Sequence, residues 1–465
     1  MWSEEETSSR AKTRDETLQK MVKSSHFDYA QYDIIIYIIL FIRGDKMKKM
    51  FLVLLVMFGF TFQTALATDG YYRHGYGIKY SALAGSGVAV SLSSLGAITN
   101  PAGISNLNNG FEINVSYFSP DRYYEVGGNP SGFPGTFGLM PGKVVSEQTS
   151  FYFPTLGGNL KLSDKMAIAL SLYGNGGMNT DYPTMTFGDP TSPSTGVNIE
   201  QMFANLSFAY KFDPNHSIGV AGIFGWQRFA AKGLIAFSGF SNDPANLTGN
   251  AWSTATGFGF KFGYQGQWLK DLSFGATYQS KIYMSEFERY AGLFAQAGDF
   301  DVPASWQAGF AFTPGDWKFL FDVKQIFYSD VKSIANPMLP NLQTALLGQE
   351  EGAGFGWKDI LVVKWGVMYS GFCGWDLMAG YSVGQNPVTS GNVMFNILAP
   401  GVVENHITFG VSKNIAKNHV ITIAFMYAFE NTVEGPNPLD APNQQTIEIG
   451  MKQWQLEVGY SFSSF

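Results

Sequence analysis

Phe203-Ala-Asn-Leu-Ser-Phe-Ala-Tyr-Lys-Phe212 changes character at every step. Ala204, Leu206, Phe208, Tyr210 and Phe212 fall on one face of an extended chain, while Asn205, Ser207, Ala209 and Lys211 fall on the other. Side chains alternate across a strand with period two, so this stretch reads as a strand with one greasy and one polar side. Leu272-Ser-Phe-Gly-Ala-Thr-Tyr-Gln-Ser-Lys281 repeats the pattern, as do Lys318–Lys324 and Ile421 to Phe429.

The connections between such stretches alternate as well. Six are tight, at Ser163–Lys165, Asp213–His216, Leu269–Asp271, Pro314–Asp316, Gly371–Gly374 and Ala416–Asn418. Seven long ones fall near 119–147, 175–199, 232–253, 286–303, 329–357, 386–403 and 430–443. Strict short–long alternation over fourteen strands describes an all-β fold, a fourteen-stranded antiparallel transmembrane β-barrel with short periplasmic turns and long outer loops. An even strand count places both ends of the chain on the periplasmic side, where a plug must begin. An irregular arm on a β-sandwich is the alternative, but a sandwich does not keep every second connection long. Glu457-Val-Gly-Tyr-Ser-Phe462 alternates with aromatics like a terminal barrel strand, with Ser463-Ser-Phe465 extending past it.

Composition agrees. Charged residues make up 14% of the 465, well below a soluble chain, and aromatics reach 16%, with 40 Phe and 23 Tyr. Mean hydropathy is close to zero, which excludes a helical membrane protein. The net charge of −7 and the lack of a basic cluster argue against a nucleic-acid partner. A single cysteine, Cys373, excludes a disulfide framework and a multi-thiolate metal site.

The N-terminal part divides into three. Residues 1–46 are polar and then carry Ile34–Ile42, too short for a spanning helix, and read as a non-native upstream extension; a two-part leader or membrane anchor is the alternative. Residues 47–67 have the form of a signal peptide: Lys48-Lys49, the apolar run Phe51–Phe60, and Ala65-Leu-Ala67 for cleavage before Thr68. Residues 68–109 are rich in Gly, Ala and Ser, with Asn100-Pro101-Ala102-Gly103 as a turn, and suit a hatch wedged inside the barrel formed by 110–465.

Arg73-His-Gly-Tyr-Gly-Ile-Lys79, Gly85-Ser-Gly87 and Asn100-Pro-Ala102 resemble the N-terminal hatch of the FadL/TodX family of outer-membrane transporters for long-chain fatty acids and aromatic hydrocarbons. Tyr173–Thr180, Gly292–Ala295 with Gly298–Pro303, Gly354–Asp359 and Asn396–Val402 are similar to signatures of one subgroup, so the resemblance runs from about Tyr71 to the C-terminus. It implies a plugged barrel in the bacterial outer membrane, an outer hydrophobic groove made by loop helices, and a kinked third strand as a lateral exit.

The residues offer candidates for each part. Gly174-Asn175-Gly176-Gly177 closes the third strand, and consecutive glycines permit a bend; a flexible loop start is the plainer reading. Phe287, Tyr290, Leu293 and Phe294 recur at helical spacing within 285–296, so a loop helix with an exposed apolar face is expected there, with Leu234, Ile235, Phe237 and Phe240 as the opposite wall. Simple packing between loops is the competing reading. Lys281, Lys324 and Lys364 are expected to face inward, where they meet a ligand carboxylate or pair with groups such as Asp322. His74, His216, His406 and His419 form no metal-ligand spacing and stand beside no nucleophile motif, so neither a metal, a cofactor nor a catalytic residue is expected. Passive uptake of hydrophobic compounds is the leading function, by a monomer whose partners are the ligand, outer-membrane lipid, lipopolysaccharide and the barrel-assembly machinery. An adhesin or receptor built on the loops is the first competitor, and an outer-membrane acyl hydrolase the second.

Overall fold

The computed structural model describes residues 69–464. The upstream extension, the signal peptide and the expected mature terminus at Thr68 lie outside the described residues. Seventeen strand segments follow in order: β1 (Gly110–Gly127), β2 (Gly142–Val145), β3 (Phe151–Lys161), β4 (Met166–Gly176), β5 (Asn179–Tyr182), β6 (Thr195–Asp213), β7 (His216–Lys232), β8 (Ser253–Leu269), β9 (Leu272–Gln279), β10 (Tyr283–Met284), β11 (Ser305–Phe312), β12 (Trp317–Ile326), β13 (Ile360–Phe372), β14 (Trp375–Gly384), β15 (Asn405–Ala416), β16 (His419–Pro436) and β17 (Thr446–Ser463). They fill fourteen wall positions, because three positions hold two segments each. β2 and β3 both pair with β1, β4 and β5 both pair with β6, and β9 and β10 both pair with β8. β1 pairs antiparallel with β17 from Gly110↔Ser463 to Gly127↔Thr446, which closes the barrel.

The alternation in Phe203–Phe212 is realised as inside and outside. Leu206, Phe208, Tyr210 and Phe212 are exposed on the lipid side, and Asn205, Ser207 and Ala209 are buried on the lumen side. All six tight connections stand where the sequence puts them, whereas several long loops are shorter than expected, 175–199 among them because β6 already begins at Thr195. Strand one continues through Pro120 to Gly127, and the last outer loop shrinks to 437–445. Ser119-Pro120-Asp121 reads locally as a turn, but 119–122 lie between the reach of β3, which ends at Phe118, and that of β2, which starts at Tyr123. A proline there removes no ladder hydrogen bond on that side.

Residues 69–109 fill the lumen. Three short helices, Ile78–Ala82, Gly96–Thr99 and Pro101–Asn106, punctuate an otherwise irregular segment. Wall groups bind its backbone: Thr408 Oγ1 donates to Ala82 O (2.8 Å), Ser217 Oγ to Ala102 O (3.0 Å), and Asp322 Oδ2 accepts from the N–H groups of Gly87 (2.8 Å) and Val88 (2.9 Å). Inward glycines let the two backbones touch. A Cβ on Gly219 would lie 2.4 Å from Ala102 N, one on Gly263 2.1 Å from Asn100 Oδ1, and one on Gly275 2.2 Å from Val88 O. Small residues on both sides of the contact explain the composition of 68–109.

The course of this segment corrects one expectation. The wall begins and ends on the periplasmic side, but the described chain does not start there. Asp69 lies beside Lys324 and Lys364, near the outer ends of β12 and β13. From there the chain descends past Gly176 to Pro101–Asn106, beside Ser217 and Gln265 at the periplasmic ends of β7 and β8, and then enters β1. A buried carboxylate held by two ammonium groups fixes its upper end.

Candidate functional site

The third wall position, β4 with β5, breaks at the glycine cluster. Its pairing with β3 ends at Thr155↔Tyr173, and its register with β6 slips between Gly174 and Gly176. Above Tyr173 the lumen segment takes over the freed backbone. Arg73 N–H donates to Asn175 O (3.0 Å), Gly177 N–H donates to Tyr71 O (3.2 Å), and Tyr72 bridges Gly176. Farther out, Glu147 N–H donates to Asp181 O (2.8 Å) and joins strands two and three again. A window therefore stands between 148–154 and 174–178. An unpaired backbone group in lipid costs several kcal/mol, and the lumen segment removes much of that penalty here.

Each glycine has a separate reason. Gly176 has φ +149°, and a Cβ there would lie 1.8 Å from Tyr71 O, while one on Gly177 would lie 2.3 Å from Ile199 O. Gly174 is different: its Cβ would meet the Phe153 ring at 3.1 Å across the window. Asn175 points inward, its Nδ2–H donating to Gln201 Oε1 (2.9 Å).

A cavity of about 550 Å³ runs through this window. Its lining includes the lumen-facing Gln201, His406 and Gln453 and the lipid-facing Tyr152, Pro154 and Met202, so it crosses the wall. Phe118, Phe151 and Phe153 line the crossing, with Phe118 6.1 Å from each of the other two ring centres. Arg73 lies over the Phe153 ring (5.7 Å) and is paired with Glu457 (3.2 Å), with further bonds to Ser116 Oγ (2.9 Å) and Thr155 Oγ1 (3.2 Å).

The outer loops form a second, apolar pocket. Leu234, Phe237, Leu293 and Phe294 line it with Phe229, Leu347, Phe355, Phe395 and Leu398, and about 40 Å³ of it is open. Phe287 and Tyr290 pack behind it, the Tyr290 hydroxyl donating to Asn250 O (2.7 Å) and accepting from Ala231 N–H (3.1 Å). Phe240 is 41% exposed and lies off the pocket. The expected loop helix with an exposed face does not form. Only Glu288–Tyr290 and Ala295–Gly298 form short helical pieces, and Gln296 (φ 55°) and Ala297 (φ 61°) leave the helical region. The rings are buried instead, because Phe287, Tyr290 and Phe294 all pack against Phe229 of β7. Tertiary packing outweighs helical periodicity in so short a segment.

The three lysines also differ from expectation. Lys324 (2.7 Å) and Lys364 (3.1 Å) both bind the Asp69 carboxylate, and Lys364 also donates to His74 O (2.8 Å). Neither is left for a ligand, and the partner is not Asp322, which holds the lumen segment. Lys281 does not face inward. The alternation slips by one residue at the β9–β10 break, so Gln279 is 6% exposed and Tyr283 64% exposed although both numbers are odd. Lys281 sits over the Tyr283 ring (4.9 Å) and pairs with Asp301 (2.7 Å).

Asn100 caps the helix Pro101–Asn106: its Oδ1 accepts from Ala102 N–H (3.0 Å), and its Nδ2 donates to Val88 O (2.7 Å) and Tyr264 O (2.9 Å). Pro101 supplies the first helical residue, Ala102 O receives the Ser217 hydroxyl, and Gly103 O receives the Ser91 hydroxyl (2.7 Å). Ser382 Oγ lies 3.3 Å from His406 Nδ1 and is fully buried. Phe151, Phe153 and Arg122 escaped the sequence reading. Phe355 and Leu398 stood within quoted motifs, and that was their signal.

The solved structures that match confirm the architecture. The toluene transporter TodX of P. putida is 18% identical, with a TM-score of 0.62, and the match covers 84% of this chain and 99% of that one. A Pseudomonas aeruginosa FadL homologue is 15% identical, with a TM-score of 0.63, over 85% of this chain and 99% of the other. The Ralstonia pickettii toluene transporter TbuX is 17% identical, with a TM-score of 0.58, over 84% and 99%. Among curated proteins none matches the chain. The family profile described as outer membrane protein transport protein (OMPP1/FadL/TodX) matches residues 74–450, and the chain, an outer-membrane barrel, belongs to that family.

Proposed function

We propose that this protein carries hydrophobic compounds passively through the outer membrane, collecting them among the outer loops and releasing them sideways into the bilayer. The cavity that crosses the wall between strands two and three carries this reading. A closed barrel has no reason to break a strand beside three inward phenylalanines and satisfy the loose backbone from inside, unless something leaves there. The pocket of Leu234, Phe237, Leu293 and Phe294 is the capture site, and it widens as loops part around a ligand. Residues 69–109 act as a hatch that bars polar solutes from the lumen. The protein works as a monomer, with lipopolysaccharide around its outer girdle and the barrel-assembly machinery engaging its terminal strand, β17.

Gly174→Val tests the exit. A side chain at Gly176 meets Tyr71 O and displaces the hatch, and one at Gly177 meets Ile199 O of β6 and disturbs the wall, whereas a side chain at Gly174 fills the window toward Phe153. Assembly is checked first by heat-modifiable mobility. Uptake of a labelled fatty acid or toluene should fall severalfold while binding to purified protein persists. Wild-type uptake by the assembled variant sinks the lateral route.

A further inference from the structure

Two arginines bracket the window, and only one has a counter-ion. Arg73 has Glu457 at 3.2 Å. Arg122, on β1 and 5% exposed, has no carboxylate within ion-pair distance among the described residues. Its chain neighbour Asp121 points outward and pairs with Lys452 at 3.4 Å. The guanidinium of Arg122 instead donates to two neutral carbonyls, Gln148 O and Asn179 O, and its Nε–H is buried with no partner. A desolvated cation is stabilised well only by a charged, hydrogen-bonded partner, so this arrangement is incomplete.

The two carbonyls stand on opposite lips. Gln148 lies in the break between β2 and β3, and Asn179 is the first residue of β5. One side chain thus ties strand two to strand three at the outer end of the window. The Phe151 ring, 5.5 Å from the guanidinium carbon, holds it in place. Arg122, Gln148, Phe151 and Asn179 all line the cavity that crosses the wall.

We propose that Arg122 is both the latch of the window and its headgroup site, released by the carboxylate of an amphipathic ligand. The inference rests on the lateral exit proposed above. Charge-assisted bonds from guanidinium to carboxylate are roughly twice as strong as bonds to neutral acceptors, and they form in parallel pairs. The unpartnered Nε–H and one Nη–H offer the edge such a pair needs. Moving that Nη–H from a backbone carbonyl to the ligand frees one lip. The tail then passes Phe118, Phe151 and Phe153 into the membrane. A neutral hydrocarbon offers no exchange and meets a latched window.

Palmitate and hexadecanol, which share a tail and differ in the head, separate the outcomes. Uptake of each is measured in cells lacking other routes, with wild type, Arg122→Met and Arg122→Lys, after heat-modifiable mobility confirms assembly. Wild type should favour palmitate. Loss of two hydrogen bonds across the lips should raise hexadecanol uptake by about tenfold in Arg122→Met and abolish the preference. If Arg122→Met does not assemble, Arg122→Lys carries the test, because one ammonium cannot fork to both carbonyls and hexadecanol uptake rises likewise. An unchanged hexadecanol rate in the assembled variant overturns the latch, and an unchanged preference in Arg122→Met overturns the headgroup site. Gly174→Val keeps the two readings apart. If it blocks both ligands while Arg122→Met behaves as wild type, the window stands and the latch falls. If it blocks neither, the window itself is wrong.

Discussion

Gly263→Ala adds one methyl group to β8, and the structure gives its consequence. The new Cβ would lie 2.1 Å from Asn100 Oδ1 and 2.9 Å from Pro101 Cδ. Ordinary contact requires a retreat of about 1 Å or more by the Asn100 side chain. That side chain makes three hydrogen bonds, to Ala102 N–H (3.0 Å), Val88 O (2.7 Å) and Tyr264 O (2.9 Å), and none survives such a move intact. At about 1 kcal/mol net each, their loss weakens hatch docking by about 3 kcal/mol, about a hundredfold in the undocked population. The wall is spared, because alanine is no worse than glycine in an extended strand. Purified Gly263→Ala should keep heat-modifiable mobility but pass small sugars into proteoliposomes far faster than wild type. Gly222→Ala is the control, since a Cβ there meets nothing within 4 Å. If Gly263→Ala assembles and leaks no more than Gly222→Ala, residues 69–109 do not seal the lumen by this contact.

Lys364→Met leaves Asp69 with Lys324 alone and removes the bond to His74 O, so the upper end of the hatch should loosen by about 3 kcal/mol. Hydrogen exchange of the amides at 71–76 should quicken by two orders of magnitude or so, and unchanged protection refutes the anchor. In the outer loop, burial and the neighbouring Asp301 push the Asp299 carboxyl up to about 7. A raised folded-state pKa means that this stabilisation is fully present below about 4 and is lost as pH rises through about 7. Protection factors at 285–304, taken relative to the intrinsic exchange rate at each pH, should therefore be lower at pH 8 than at pH 5.5, and Asp299→Asn should flatten that difference.

The period-two alternation decided the barrel before any contact was known. Inside and outside differ at each residue, and that difference is local, so Phe203–Phe212 and Leu272–Gln279 declare their faces unaided. Turn chemistry supplied the tight connections for the same reason. The glycine cluster at 174–177 announced a departure from regular pairing, but not what replaces the lost partner. That partner is Tyr71–Arg73, a hundred positions away and joined through backbone groups that any sequence carries. Lys281 failed where a break shifted the alternation by one residue, an event that leaves no mark in residue types. The alternation puts Lys324 and Lys364 on the inner face, yet the carboxylate they meet belongs to Asp69, and only closure of the barrel around the lumen segment brings the three together. The loop helix failed because rings at helical spacing found Phe229 first. Arg122 gave no sequence signal at all: a lone arginine in a strand becomes a bridge only because strands two and three part beside it.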